Sequence, residues 1–450
     1  MIGGARLLKT LTGLAARTRT AWVGASAHAN TRQVFRFAYQ AIHQDLVREQ
    51  IRVMVRVVEG RRVGVATTDT LEPKSLRRCA EAAREIARHS PTLETGAAPP
   101  ADGLRLRTRI DHDRATARMS PAGCVARLRH LFHLCRGLGA ELAGSLVTGE
   151  DEFAVATGSG AACYAASTVA GAKLVTMYGR LSGYASGVSR RFRTLSLEAL
   201  LRRSLEQSVH QTDPVRLAPD TYEVILEPEA VAELLSWLGW TAFGAKALEE
   251  HSSFLAGRLG EKVMDRRITI CDDGRHPALL RLPFDFEGVP RRRVPLVDRG
   301  CAAGVVYDTT YGDRFGMPST GHAMPPDDTE GPLPLHLVMA PGRESVERMI
   351  RACRRGLLIP RFHYVNGLLN PREALMTGLT REGTFLIERG RLKSPVATLR
   401  FTQSILEAFR HVRGLSAARQ LVAEPSQEVG CVLAPALHLA QFRFTSGSEA

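Results

Sequence analysis

The chain has 450 residues, 44% of them hydrophobic and 24% charged, which is globular composition and excludes a fibrous or wholly disordered chain. At this length two domains are expected, and with no apolar run near the roughly 18 residues of a membrane helix, no span is expected. The formal charge of +14 is uneven: residues 1–215 hold 31 Lys and Arg against 18 Asp and Glu, residues 216–450 only 29 against 28.

A basic half suits nucleic acid or an acidic partner. Yet nearly all the bases are Arg, with six lysines in the chain. Together with abundant Ala and Gly, that is equally the mark of GC-rich codon usage. The eight cysteines (79, 124, 135, 163, 271, 301, 353, 431) contain no CxxC pair, which argues against a zinc ribbon or disulfide framework and for reduced, cytoplasmic thiols.

In chain order, residues 1–30 carry Arg6 and Lys9 before a short apolar stretch, with small residues at Ala25 and Ala27. Arg17 and Arg19 interrupt that stretch, so the reading is an amphipathic or frayed segment rather than a secretory signal. Ile51, Val53, Val55 and Val57 alternate with Arg52, Met54 and Arg56, and Val63 and Val65 resume the alternation after a Gly-containing turn, predicting a hairpin. A helix follows, with Leu76, Cys79, Ala83, Ile86 and Ala87 on one stripe. A β-rich block from about Glu152 is followed by a helix over 196–211, with Ser196 as its N-cap. Two prolines in 212–221 place the domain boundary at 215/216.

Beyond it a strand leads to a helix with Pro228 in its first turn, its core stripe being Val231, Leu234, Leu235 and Leu238. Strands are predicted around 268–273, 294–300, 335–341 and 384–394. The expected fold class is α+β in two domains: an antiparallel sheet with packed helices (1–215), and a larger, predominantly antiparallel β domain (216–450).

Isolated candidate sites read as structural. His130, His133 and Cys135 lie on an ordinary amphipathic helix, and Asp111, His112 and Asp113 sit in a polar loop. His251 has no second ligand on its helix. The Gly-rich stretch 156–162 lacks the Lys and Ser/Thr of a phosphate loop. Arg291, Arg292 and Arg293 are expected on an exposed loop or strand edge, and Cys431 as a buried thiol.

Blocks in both halves carry a family resemblance: "RRVGVATTDTLEPKSLRRCAEAAREIA", "SSFLAGRLGEKV", "PFDFEGVPRRRVPLVDRG", "STGH" and "TGLTREGTFLIERGRLKSPV". In order and spacing the chain resembles the TldD/PmbA (TldE) family, the metalloprotease pair once called modulators of DNA gyrase. The resemblance implies a barrel-like second domain and proteolysis of unfolded peptides. Catalytic members carry HExxxH on a helix, where two imidazoles hold zinc and the glutamate polarises its water, with a cysteine near the C-terminus completing the ligands.

Here the corresponding region, about Leu235 to Thr241, reads "LSWLGWT", without His or acid. None of the 14 histidines has another four or five residues away. The chain therefore resembles the PmbA/TldE type: no catalytic residue and no metal ligand of its own, no cofactor bound, and zinc expected in a TldD-like, HExxxH-bearing partner. It departs from the family at His322 and Arg389, where Asn is expected, and its tail is closer to that of TldD. Ser319, Thr320, Gly321 and His322 are the candidate peptide-channel loop. The alternatives are a stand-alone divergent metallopeptidase, favoured by that tail, and a basic nucleic-acid- or gyrase-associated protein. The last has neither a recognition helix nor an aromatic platform, so nucleic acid is not the expected partner.

Overall fold

The computed structural model describes residues 1–16, 21–93, 103–209, 213–424 and 430–447. Arg17, Arg19 and residues 210–212, at the end of the expected 196–211 helix and the start of the 212–221 boundary segment, lie outside them. The first half consists of α1 (Gly4–Ala16), β1 (Trp22–Ala38), β2 (Ala41–Glu59), β3 (Arg62–Thr68), α2 (Pro73–His89), β4 (Arg105–Asp111), α3 (Arg114–Ala117), α4 (Pro121–Gly137), β5 (Glu141–Thr157), β6 (Ala162–Tyr178), β7 (Leu181–Ser189) and α5 (Leu197–Ser208). Its sheet runs β3-β2-β1-β5-β6-β4, with β7 also on β6. All these pairs are antiparallel except β4 with β6.

The N-terminal segment is not frayed: Leu7 and Leu11 of α1 are fully buried beside Ala27, Val53 and Tyr164. The hairpin is the β2–β3 pair, α2 buries the predicted Leu76, Cys79, Ala83 and Ala87 while leaving Ile86 exposed, and the Ser196 side chain caps α5 by accepting from Ala199 N at 3.2 Å. Sequence reading missed β1, a central strand between β2 and β5. Its first part, "WVGASAHANT", is mostly Ala, Gly, Ser and Asn, buried on both faces, so it carries no apolar alternation to detect.

The second half begins with β8 (Thr221–Leu226) and α6 (Pro228–Ala242). It continues through β9 (Ile270–Asp272), β10 (Val294–Asp298), β11 (Cys301–Ala302), β12 (His336–Met339), β13 (Arg355–Ile359), β14 (Arg361–Asn370) and β15 (Leu375–Arg381). The last strands are β16 (Phe385–Glu388), β17 (Arg391–Pro395), β18 (Leu399–Ser404), β19 (Val412–Val422) and β20 (Cys431–Gly447). They form one 13-stranded sheet, β11-β10-β9-β12-β20-β8-β13-β16-β17, with a branch through β18, β15 and β14. Among the described residues it stays open rather than closing into a barrel. The reason is β20: at 17 residues it pairs with different strands along its length, β12 and β19 near its start and β18 at its end, so the sheet forks.

The two halves meet through an aromatic cluster, Phe153 stacking on Phe284 at 5.1 Å and edge-on to Phe286 at 4.7 Å. The half-buried pair Arg56–Glu287 (2.6 Å) flanks it.

Candidate functional site

Helix α6 presents two faces. Val231, Leu234, Leu235 and Leu238 are fully buried in the second-half core. The other face, with Ala232, Glu233, Ser236 and Trp240, walls a cavity of about 530 Å³. Across that cavity stand Cys431 and Val432 of β20 and Tyr184 and Ser186 of β7. This cavity-facing pair, Ser236 and Cys431, is what the sequence could not register. The two are 195 positions apart, and their proximity depends on β20 pairing with β8, the strand that leads into α6.

The donors in the stretch Leu235–Thr241 are already committed. Ser236 Oγ donates to the Ala232 carbonyl and Thr241 Oγ1 to the Trp237 carbonyl, each at 2.8 Å. Trp237 Nε1 donates to Glu233 (3.2 Å) and Trp240 Nε1 to Glu330 (3.1 Å). Glu229, deeper on the same helix, accepts from the Ser186 hydroxyl and from Gln420 at 3.1 Å each. Burial pushes both Glu229 and Glu233 up from the ordinary carboxylate range. It also pushes the Cys431 thiol up to about 12, so in the metal-free chain it is a neutral thiol.

Zinc needs three or four convergent N, S or O donors, and among the described residues of this cavity no three His, Cys, Asp or Glu donors lie within 4.8 Å of one another. Among the described residues, one group of three His, Cys, Asp or Glu donors lies within 4.8 Å: Glu223, Cys353 and His438. None of these walls the α6 cavity, and Glu223 Oε1 already accepts from His438 Nε2 and Arg413 NH1 at 2.7 Å each.

The loop Ser319–His322 turns inward. Thr320 bonds Tyr307 in both directions, its N–H donating to the carbonyl at 3.0 Å and its Oγ1 accepting from the amide at 2.8 Å. His322 is fully buried, its Nε2 2.8 Å from Asp272 Oδ1. Gly321 sits at φ +77°, and a Cβ there would fall 2.4 Å from the Pro290 carbonyl oxygen. None of the four lines the α6 cavity.

The loop instead closes over Asp272. That carboxylate accepts the His336 backbone N–H at 2.6 Å, and Arg291 NH1 lies 3.9 Å away. Burial pushes the Asp272 carboxyl up, but His322 and the Arg291 guanidinium outweigh it and hold it well below the ordinary range. The expectation that Arg291 is exposed is wrong: Arg292 and Arg293 are exposed, but Arg291 is fully buried. Its side chain lies over Gly274, where a Cβ would come within 2.5 Å of its Cδ.

The other sequence candidates do not assemble. His130 and His133 are exposed while Cys135 is buried in the core. His251 is exposed. Asp111 pairs with Arg281 (3.0 Å), His112 with Glu150 (3.1 Å), and Asp113 caps α3, so these residues are engaged rather than freely solvated. Residues 158–161 form the turn between β5 and β6.

Residues 219–446 match the family described as "PmbA/TldA metallopeptidase C-terminal domain", and residues 42–87 match "PmbA/TldA metallopeptidase domain 1". The chain belongs to the PmbA/TldD metallopeptidase family. It is 25% identical over 231 residues to a Haemophilus influenzae protein named metalloprotease PmbA homolog, covering 50% of this chain and 47% of that one. It is 23% identical over 226 residues to a Methanothermobacter thermautotrophicus metalloprotease, covering 49% of this chain and 48% of that one. The matched stretches thus span less than half the length of these relatives. The fold is that of TldE from Thermococcus kodakarensis, at TM-score 0.85 and 21% identity over 98% of this chain and 99% of that one. No helix among the described residues is long and apolar enough to cross a membrane.

Proposed function

We propose that this chain is a zinc-free, non-catalytic subunit of a TldD/TldE-type peptidase. The observation that carries the reading is the α6 cavity: the family helix and Cys431 are brought together, but the helix offers no imidazole and spends its hydroxyls on its own carbonyls. The partner is a HExxxH-bearing relative, which supplies zinc and the water it activates. This chain supplies walls and docking surface for unfolded peptide, and extended peptide backbone adds to an open sheet edge. The Ser319–His322 loop acts at one remove, fixing Asp272 and Arg291 rather than touching substrate.

The test is hydrolysis of an unfolded reporter peptide by the purified chain with added zinc, alone and mixed with the HExxxH-bearing family member from the same genome. No turnover alone and turnover in the mixture, above that of the relative by itself, is the expected result. Chelator-sensitive turnover by the chain alone would overturn the proposal and direct attention to Glu223, Cys353 and His438.

A further inference from the structure

A second cavity, of about 460 Å³, lies where the two halves meet. Leu104, Leu106, Phe153, Leu282 and Phe286 form apolar walls, and Arg32, Arg190, Arg275 and Arg281 also line it. Two of these guanidiniums are neutralised within the cavity: Arg32 NH2 lies 2.6 Å from Asp151, and Arg281 Nε 3.0 Å from Asp111. Glu424 also lines it but pairs with Lys173.

Among the described residues, neither Arg190 nor Arg275 makes a direct ion pair with a carboxylate, although Asp151 and Asp111 are close enough to act on Arg190. Arg190 NH1 donates to Ser167 Oγ (2.9 Å) and the Thr168 carbonyl (3.2 Å), and NH2 to the Arg281 carbonyl (3.1 Å). Its Nε is closed off from solvent and has no hydrogen-bond partner. Its hydrogen bonds thus all go to neutral oxygens, and the carboxylates of Asp151 and Asp111 act on it only without a direct bond, so a buried guanidinium here gains from an anion that bonds it directly. Arg275 is exposed, placing a second free cation where a ligand from solvent meets it.

We infer that this cavity binds an apolar ligand bearing a single carboxylate, the C-terminal end of a peptide, with the carboxylate on Arg190 and Arg275 and the side chain against Phe153 and Phe286. Its volume is in the range of small-ligand sites, roughly 300–1,000 Å³. His336, on the same wall, distinguishes a peptide from a fatty acid. Its Nε2 donates to the Leu280 carbonyl at 2.9 Å and burial pushes it down to about 3, so Nδ1 is a buried acceptor without a partner. The N–H beside a peptide's terminal carboxylate is a donor of the kind that acceptor lacks, and a fatty acid has none. The inference rests on the reading of the chain as a peptide-handling subunit, but its test reads binding to this chain alone, so it fails or stands independently of the peptidase assay.

The test is calorimetry on the full chain with N-acetyl-Leu-Phe as free acid, the same peptide as C-terminal amide, and octanoate. Expected are binding of the acid roughly tenfold or more above the amide, the value of one charged hydrogen bond, and weaker binding of octanoate. Arg275→Gln, an exposed change that leaves the fold intact, is expected to lower acid affinity about fivefold without altering the amide, as a single partly screened charge contact would. Arg190→Gln is expected to lower it further. Equal binding of acid and amide, tighter binding of octanoate, no heat with any ligand, or acid affinity unchanged in both variants would overturn the inference.

Discussion

The two cavities share Glu424 and Gly430 in their walls, yet they differ in chemistry. The one under α6 has a helix and a cysteine but, among the described residues, no convergent ligand set, the side-chain donors of that helix being satisfied by neighbours within the chain. The other has more guanidiniums than carboxylates to pair with them, and a buried arginine Nε with no partner. A donor satisfied internally has nothing left for a ligand, whereas an unsatisfied buried one is costly unless something arrives. On the reading proposed above, the position of the family's catalytic motif is structural in this chain, and the binding chemistry lies in the neighbouring cavity.

The largest expected effect separates the buried Asp272 network from both cavities. Asp272→Ala takes from buried Arg291 the stronger of the two carboxylates that act on it, the other being Asp285, and is expected to destabilise the chain by about 3–5 kcal/mol, read as a fall in the urea midpoint at constant m-value. Because the Asp272 carboxyl is depressed in the folded chain, its contribution is present above its ordinary value of 3.8 and lost as pH falls below it. The wild-type midpoint is therefore expected to drop more steeply below about pH 4 than that of the Asp272→Asn chain; parallel profiles would contradict the assignment.

Next in size is Gly321→Ala, which combines a left-handed backbone with the contact at Pro290 and is expected to cost about 1–3 kcal/mol. Loss of stability without loss of partner-dependent turnover per folded molecule marks the loop as scaffold. A turnover defect at full stability would return it to the peptide channel.

The smallest effect probes the α6 cavity itself. With its pKa pushed to about 12, Cys431 is expected to resist iodoacetamide at pH 8 in the folded chain and react in urea, as mass spectrometry of its peptide would show. Rapid labelling of the native chain would mean a thiolate poised as ligand or nucleophile.

The outline of the fold was legible because its elements carry local signals: the β2–β3 alternation, the α2 stripe, Ser196 capping α5 and Pro228 opening α6. β1 was not, because a central strand of Ala, Gly and Ser lacks the pattern that marks a half-buried one. Arg291 was misread for a related reason. Three consecutive arginines look solvated, and it is the bare Cα of Gly274 and the remote carboxylates of Asp272 and Asp285 that make room and charge for one of them inside. The absence of HExxxH could be read directly, but the cavity that Ser236 shares with Cys431, and the unpaired Arg190, are products of sheet topology that no local pattern encodes.

The most direct test of the central claim places substitutions on each side of the mixed assembly. With Ser236→Ala and Cys431→Ser together in this chain, the mixture with its HExxxH-bearing relative is expected to keep peptide turnover within about twofold, whereas Glu→Gln in the relative's HExxxH abolishes it. Loss of turnover on changing this chain's two residues, or its survival when the relative's glutamate is gone, would place the chemistry in this chain and contradict the account.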